Sequence, residues 1–307
     1  MICSWRPNDH AGPMKKTLAT IPLLLCSLNI HASLPTTDVA ETCQRIASKL
    51  ASVALDECLA RQLAHSGEYS ERRTPLLLKE YPPLEERLPQ ARILMLGGVH
   101  GDEYSSVTIM FKWMHILDQH HSGLFHWKIA PLVNPDGLLQ KKSQRMNANG
   151  VDLNRNFPHG GEPGASLEYW EKRTWKDPRR YPGEHPMSEK ETRWMHQLIE
   201  EFQPHAIVAV HAPYGIVDFD GPPKPPKHLG PLHLRLLGTY PGSLGNFAGE
   251  QLQIPVVTVE LPYAGIMPSD QEISRIWVDL VAWLKTHVPR QPLLSQQEKD
   301  RQEKIDH

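Results

Sequence analysis

The sequence predicts a single α/β domain with a central mixed, mostly parallel, twisted sheet and helices on both of its faces. The chain has 307 residues, of which 40% are hydrophobic and 22% are charged, and this composition is typical of a globular protein with a sizeable core. Four short apolar runs have the length and composition of strands buried on both faces: residues 93–96, 127–133, 206–210 and 256–261. Helical patterns separate these runs, and such alternation is typical of α/β sheets.

The charge balance argues against one class of partner. The chain carries 33 Lys and Arg against 35 Asp and Glu, a formal net charge of -2. Because nucleic-acid binding depends on a surplus of basic side chains along the phosphate backbone, we expect no nucleic-acid partner.

Residues 1–32 have the pattern of an export signal. Lys15 and Lys16 precede an apolar stretch at residues 18–30, and Ala32 is the small residue that a cleavage site needs. The apolar stretch is shorter than the roughly 20 residues of a membrane-spanning helix. We therefore expect cleavage after Ala32 and a periplasmic protein with no stable membrane anchor.

The next segment, residues 33–80, is predicted to be helical and to contain a disulfide. Removal of residues 1–32 would leave two cysteines, Cys43 and Cys58, in a chain bound for an oxidising compartment. An even number of cysteines there favours a disulfide between them. One continuous helix would hold them about 22 Å apart, so the chain must reverse near residues 52–56. Two buried free thiols are the alternative.

Residues 81–289 are predicted to form the catalytic domain, which contains three helices with clear signals. One apolar stripe runs along residues 107–117 at helical spacing. A capping box at residues 188–191 predicts a helix through Phe202, and a last helix is expected from Asp270 to His287. The remaining residues, 290–307, form a polar and flexible tail.

Two side chains that can bind metal follow the first predicted strand. His100 and Glu103 lie three residues apart in a glycine-containing turn that leads into a helix. Loops at the carboxyl ends of strands are where α/β proteins place their sites, and this spacing lets both side chains reach one ion. An ordinary helix start is the alternative.

The ends of two later strands offer the remaining groups. His211 ends an apolar run, and with His100 and Glu103 it would complete the two histidines and one carboxylate of a catalytic zinc site. Glu260 ends another run, and beside a zinc ion it would act as a general base. Taken alone, each residue has an ordinary explanation: His211 could be hydrogen-bonded to a neighbouring carbonyl, and Glu260 could be a solvated carboxylate at the edge of the sheet.

Two motifs between these strand ends complete a family pattern. Residues 134–137 are Asn-Pro-Asp-Gly, and residues 150–157 are Gly-Val-Asp-Leu-Asn-Arg-Asn-Phe. Over residues 92–285 the order of all these motifs resembles that of the zinc metallocarboxypeptidases. Further stretches at residues 211–213, 218–222 and 240–245 are similar to those of a bacterial branch that contains murein peptide amidases.

The resemblance implies a metal centre and a base. It implies that one zinc ion is bound by His100, Glu103 and His211, and that Glu260 is the general acid/base. The fold implied is the α/β domain predicted above.

The resemblance also implies that Arg145 stabilises the oxyanion and that Asn154 and Arg155 hold a substrate carboxylate. A guanidinium suits both tasks because it is a fixed cation with a planar, bidentate fork of donors. Without the motif, surface ion pairs would be the ordinary expectation for both arginines.

Two departures limit the comparison with the digestive members of this family. Asp102 stands where those enzymes have an arginine, so their substrate subsites do not transfer. They also use a mobile tyrosine, for which Tyr240 and Tyr263 are the candidates.

The implied activity is hydrolysis of the γ-D-glutamyl–diaminopimelate bond of murein peptides, with Asp218, Asp220 and Lys224 as candidates to recognise the second centre of diaminopimelate. One alternative is a zinc amidohydrolase of the aspartoacylase and succinylglutamate desuccinylase type, acting on small N-acyl amino acids. Another is a catalytically inactive module that binds murein peptides.

Overall fold

A computed structural model describes residues 37–85 and 88–288. These residues belong to one compact unit. The predicted signal peptide at residues 1–32 and the predicted tail at residues 290–307 lie outside the described residues. In the described ranges, no helix combines the length and the apolar character needed to cross a membrane.

A nine-stranded sheet runs through the described part of the chain, in the order β1-β2-β4-β3-β5-β9-β6-β8-β7. Its strands are β1 Ala64–Tyr69, β2 Pro75–Tyr81, β3 Ala91–Leu96, β4 Phe125–Ala130, β5 Ala206–His211, β6 Ile216–Asp220, β7 His228–Leu229, β8 Leu232–Leu234 and β9 Val256–Glu260. The four central strands, β4, β3, β5 and β9, are mutually parallel. Antiparallel pairs flank them on both sides, and β6 and β8 form a further parallel pair near one edge. The predicted α/β class with a mixed sheet is therefore confirmed.

The helices lie on both faces of the sheet. They are α1 Thr37–Lys49, α2 Leu55–Ala60, α3 Tyr104–His120, a single turn α4 Pro135–Leu138, α5 Ala165–Arg173, α6 Lys190–Phe202 and α7 Asp270–His287, with a π-helix at Gly245–Gln251 and 3-10 turns at Leu153–Arg155 and Pro178–Arg180. Alternate residues of β3 enter different cores: Ile93 and Met95 pack with residues of α3 and α7, whereas Leu94 and Leu96 pack with residues of α6. β3 and β5 are therefore buried on both faces, as their apolar runs predicted, whereas His126 and Lys128 leave one face of β4 half-exposed.

The N-terminal segment is only partly helical. Cys43 and Cys58 form a disulfide between α1 and α2, with their Cα atoms 5.6 Å apart, so the predicted bridge and chain reversal are present. The prediction of a helical segment through residue 80 is wrong beyond α2, because β1 and β2 follow and extend the sheet. β2 pairs with β4, so the boundary predicted between residues 80 and 81 falls inside a strand.

The predicted capping box of α6 is also wrong, although the helix ends at Phe202 as expected. Glu189 is the N-cap and makes no side-chain capping bond. The Ser188 hydroxyl instead donates to the Glu189 carboxylate, and Glu191 accepts a hydrogen bond from Asn147. The box fails because Glu191 accepts from Asn147 and Ser188 accepts from Asn156, and both asparagines belong to the neighbouring loop. α7 does begin with a capping box, formed by Ser269 and Glu272.

Candidate active site

The turn after β3 requires glycine at two positions. Gly98 has a φ of +60°, in the left-handed region that side chains disfavour. At Gly101 a Cβ atom would lie 2.2 Å from the backbone carbonyl carbon of Gly137, so the two loops can touch only without a side chain there. This close turn sets His100 and Glu103 immediately before α3.

The Asn-Pro-Asp-Gly motif joins that turn to the segment that carries Arg145. Asn134 accepts a hydrogen bond from Gly137 N at 2.8 Å. Its Nδ2 donates to the carbonyl of Val99 at 3.3 Å and to that of Arg145 at 3.1 Å. The motif is thus a structural link between two parts of the site.

Three buried side chains converge where β3 and β5 end. The Nδ1 atoms of His100 and His211 lie 3.0 Å apart. Each is also close to the Glu103 carboxylate, at 2.8 Å for His100 and 3.0 Å for His211. One donor atom from each residue lies within 4.8 Å of the others. Two imidazole nitrogens and a carboxylate are a donor set that zinc takes in catalytic sites, so these residues fit a zinc ion.

Asp152 and Arg145 extend the hydrogen-bond network of this triad. Asp152 Oδ1 lies 3.0 Å from His100 Nε2, and Asp152 Oδ2 accepts from Arg145 Nε at 3.0 Å. Burial alone would raise the pKa of Asp152, but the charges of Arg145 and His100 outweigh it and hold that pKa well below its usual range. Asp152 therefore stays ionised and fixes the orientation of the His100 ring. The motif residue Asp152 had no role in the sequence prediction, and its position two residues before Asn154 was its only signal.

Glu260 lies beside the triad on the neighbouring strand. β5 and β9 pair so that His211 is opposite Glu260. Glu260 is buried, with 7% of its surface exposed, and burial raises the pKa of its carboxyl above the usual value. A raised carboxyl pKa favours a group that both accepts and returns a proton near neutral pH.

The three residues predicted to contact the oxyanion and the substrate carboxylate are placed differently. Arg145 lines the same cavity as the triad and also approaches Glu103, at 3.4 Å. Asn154 lines it too, with its Oδ1 accepting from Leu244 N at 2.8 Å. Arg155 is buried outside the cavity lining, with its guanidinium 4.4 Å from the ring centre of Tyr240. Its Nε has no hydrogen-bond partner among the described residues.

The cavity has a volume of about 310 Å³ and contains several of the remaining candidates. Asp218, Asp220 and Tyr240 line it. Lys224 and Tyr263 lie outside the lining, and the carbonyl of Lys224 instead accepts from the indole of Trp283. The sequence prediction missed Tyr214, which lines the cavity and is 62% exposed.

Asp102 has a partner of its own. It forms an ion pair with Arg179 at 2.8 Å, and both residues line the cavity together with Arg180. The residue that replaces the arginine of digestive enzymes is thus engaged with a cation supplied by another loop of this chain.

Comparisons with known proteins agree with this geometry. A family model described as zinc carboxypeptidase matches residues 65–217. Murein peptide amidase A of Escherichia coli K12 is 31% identical over 207 residues, which are 62% of this chain and 79% of that protein. Murein peptide amidase A of Vibrio campbellii is 32% identical over 179 residues, with coverages of 56% and 70%.

Solved structures show the same fold. The murein-tripeptide amidase MpaA from Escherichia coli O157 matches with a TM-score of 0.50 and 27% identity, over 72% of this chain and 90% of that one. Carboxypeptidase A from Helicoverpa armigera matches with a TM-score of 0.55 over 79% and 70%. At 16% identity the second likeness concerns the fold alone.

Proposed function

The chain belongs to the zinc carboxypeptidase family of peptide-bond hydrolases, and from this membership we propose that it cleaves the γ-D-glutamyl–diaminopimelate bond of murein peptides. The observation that carries the proposal is the convergence of His100, Glu103 and His211 in one cavity with Glu260. The choice of substrate is supported by the relatives that are named murein peptide amidases.

One zinc ion would be held by His100 Nδ1, His211 Nδ1 and the Glu103 carboxylate. Bound there, zinc supplies a Lewis acid, which polarises a carbonyl and lowers the pKa of water to about 7. Burial opposes ionisation of Glu103, but the two histidines outweigh it and keep its pKa low. The carboxylate is therefore ready to bind a cation without first losing a proton.

Glu260 and the two arginines divide the remaining tasks in this proposal. The Glu260 carboxylate takes the proton of the attacking water and returns it to the leaving amine. Arg145, held by Asp152, places a fixed cation where negative charge develops on the scissile carbonyl. The terminal carboxylate of the substrate is assigned to Asn154, which lines the cavity, and to Arg155, whose guanidinium lies against the cavity residue Tyr240 and whose Nε has no partner among the described residues.

Digestion of defined muropeptides, followed by mass spectrometry, tests the proposal. We expect release of diaminopimelate from L-Ala-γ-D-Glu-diaminopimelate by the zinc-loaded protein, and release slower by roughly 100-fold or more in the Glu260→Gln variant. Release of ordinary C-terminal L-residues from simple peptides, with the murein peptide untouched, would overturn the choice of bond. Cleavage of only N-acetylaspartate-like compounds would favour the amidohydrolase alternative, and peptide binding without any cleavage the inactive module.

We also propose that the protein is exported to the periplasm with removal of residues 1–32. The Cys43–Cys58 disulfide supports this, because such bonds persist in oxidising compartments. N-terminal sequencing of the protein recovered from a periplasmic extract should begin at Ser33. Recovery of the chain only from the cytoplasm, with an intact N-terminus, would contradict this.

A further inference from the structure

A tight turn lies between Arg145 and Asp152 and brings the two side chains together. Arg145 Nε donates to Asp152 Oδ2 at 3.0 Å. Asn147 organises the turn, because its Oδ1 accepts from the backbone N–H groups of Asn149 at 3.0 Å and Val151 at 3.1 Å. The backbone N–H of Asn147 also donates to the carbonyl of Val151 at 3.0 Å. The conformation of this turn therefore determines where the Arg145 guanidinium lies.

Two carboxylates at the start of α6 hold the turn in place. Glu189 Oε2 accepts from Asn147 Nδ2 and from Asn149 Nδ2, each at 2.7 Å. Glu191 Oε2 accepts from Asn147 Nδ2 at 3.1 Å. Both glutamates are buried, with 3% of Glu189 and none of Glu191 exposed. Neither lines the catalytic cavity, so neither contacts a substrate bound there.

The asparagine amides compensate for the burial of these carboxylates. Among the described residues neither Glu189 nor Glu191 forms an ion pair, and the nearby Lys190 pairs with Glu71 instead, at 3.4 Å. Burial raises the pKa of Glu191 to about 7. A buried carboxylate without a cation is unfavourable unless hydrogen-bond donors surround it. The amide groups of the turn are among the donors here, so the burial of the glutamates and the geometry of the turn depend on each other.

We propose that Glu189 is a positioning residue, which fixes the turn through the amides of Asn147 and Asn149 and thereby places the Arg145 guanidinium for the reaction. The proposal rests on the proposed function, since it takes Arg145 to act on the developing oxyanion. Placement matters because a displacement of about 1 Å can cost roughly 100-fold in rate. Glu189 is chosen over Glu191 because it binds both asparagines, and at shorter distances.

Three substitutions test the role of the Glu189 carboxylate. Glu189→Ala should lower kcat by roughly 10- to 100-fold with little change in KM, because the misplaced cation affects mainly the transition state. Glu189→Gln should stay within about fivefold of the natural chain, since its amide oxygen can still accept from both asparagines. Asn149→Ala removes one contact at an exposed residue, and should lower kcat by about three- to tenfold even if Glu189→Ala does not fold.

A double-mutant cycle with Arg145→Ala shows whether the effect passes through that arginine. In the Arg145→Ala background, Glu189→Ala or Asn149→Ala should lower kcat by less than about twofold, because residues that act through one group are not additive. A contribution to stability alone would give the same loss in both backgrounds. Losses that multiply, an unchanged kcat in the single variants, or a rise in KM alone would overturn the proposal.

Arg193→Ala is the matched control. The exposed Arg193 holds the same end of α6 through the carbonyls of Met187 and Ser188, at 2.7 and 2.6 Å, but none of its hydrogen bonds reaches the turn. This variant should lower thermal stability and leave kcat within about twofold of the natural value. A loss of kcat as large as that of Glu189→Ala would show that the helix start as a whole, and not the Glu189 carboxylate, supports the reaction.

The Nε–H resonance of Arg145 separates this proposal from the proposed function, because it can be observed by NMR without bond cleavage. It is assigned in the zinc-loaded protein by its absence from Arg145→Ala. We expect it to shift in Glu189→Ala and to keep its natural position in Arg193→Ala. If no γ-D-glutamyl peptide is cleaved but this shift is found, the proposed bond is wrong and the positioning stands. An unchanged resonance in both Glu189→Ala and Asn149→Ala would overturn the positioning whatever bond is cleaved.

Discussion

Two walls of the cavity differ in whether their charged side chains form ion pairs within the protein. On the ligand wall, formed by His100, Glu103 and His211, each charged group has a partner, and Asp152 with Arg145 continues the network behind it. On the acidic wall, formed by Asp218 and Asp220, neither carboxylate forms an ion pair among the described residues. Burial raises the pKa of both, and only Asp218 is opposed in this by the charge of His211. The two walls meet at Glu260. Its strand, β9, pairs on one side with β5, which carries His211, and on the other side with β6, which carries both aspartates.

The difference follows from what each wall must do. A buried charge is costly without a partner, and groups that are paired within the protein stay in one geometry while the substrate changes. Catalytic groups need that constancy. A carboxylate left without a cation gains most when the substrate supplies one, so it contributes to selection. The comparison predicts that changes on the ligand wall abolish metal binding or turnover, whereas changes on the acidic wall alter substrate preference.

The largest effect is expected for His211→Ala. Removing one of three donors should abolish zinc binding and with it hydrolysis, by more than about 10⁴-fold. Zinc content by mass spectrometry and turnover of the murein tripeptide are the two measurements. His233→Ala, an exposed histidine on β8, is the control and should change neither. Stoichiometric zinc in His211→Ala would remove this residue from the ligand wall.

Glu260→Gln separates metal binding from proton transfer. The amide keeps the shape of the side chain but cannot take a proton from water, so turnover should fall by roughly 10²- to 10⁴-fold. Zinc content should not change, because no hydrogen bond or ion pair joins Glu260 to the triad and the three metal donors are left in place. Near-natural turnover in this variant would show that another group is the base.

The centre of the fold was predictable because its strands carry a local signal. β3, β5 and β9 are apolar on both faces, and such runs specify buried parallel strands without reference to the rest of the chain. The outer strands were missed, since β2 contains Lys79 and Glu80 and does not read as a continuous apolar run. Its place in the sheet depends on pairing with β4, nearly 50 residues away, and no local pattern encodes that pairing.

The candidate site likewise has a part that the local sequence predicts and a part that depends on contacts between distant residues. His100, Glu103, His211 and Glu260 were predicted to converge because they end neighbouring strands, and the structure brings them together. The bond between His100 and Asp152 joins residues 52 positions apart. The space that Gly245 and Gly249 leave for Asp220 likewise exists only in the folded chain. The ring of Tyr240 over Arg155 is a third feature of this kind.

Substitution of Arg145 and substitution of Arg155 should change different kinetic parameters. Arg145→Ala should lower kcat by about 10²- to 10³-fold with little change in KM, because its cation acts mainly on the developing oxyanion. Arg155→Ala should mainly raise KM, by roughly 10- to 100-fold, because a carboxylate contact is made in the ground state as well.

An amidated substrate distinguishes the two arginines further. The natural chain should prefer the free C-terminal acid over its amide, and Arg155→Ala should lose that preference while Arg145→Ala keeps it. Single-turnover rates must accompany steady-state ones, so that product release is not mistaken for chemistry. Full preference for the free acid in Arg155→Ala would show that the carboxylate is held elsewhere.

The smallest effect tests the network behind the ligand wall. Asp152→Asn keeps the size of the side chain and a hydrogen-bonding oxygen near His100 Nε2, but it removes the charge that Arg145 and His100 now share. Losing such an outer partner typically weakens zinc binding by about 10- to 100-fold. The loss should be visible in competition with a chelator while the fold, followed by circular dichroism, is unchanged.

Asp220→Asn is the matched comparison for that experiment, because it removes the charge of a carboxylate in the same cavity but on the other wall. Its zinc affinity should equal that of the natural chain, since no contact joins Asp220 to the triad. If both variants lost zinc to the same degree, the long-range field of the cavity would hold the metal, and the division into a paired and an unpaired wall would fail. If Asp152→Asn alone lost affinity, the effect would belong to the direct contact with His100, and charge pairing would be the property that fixes the metal site.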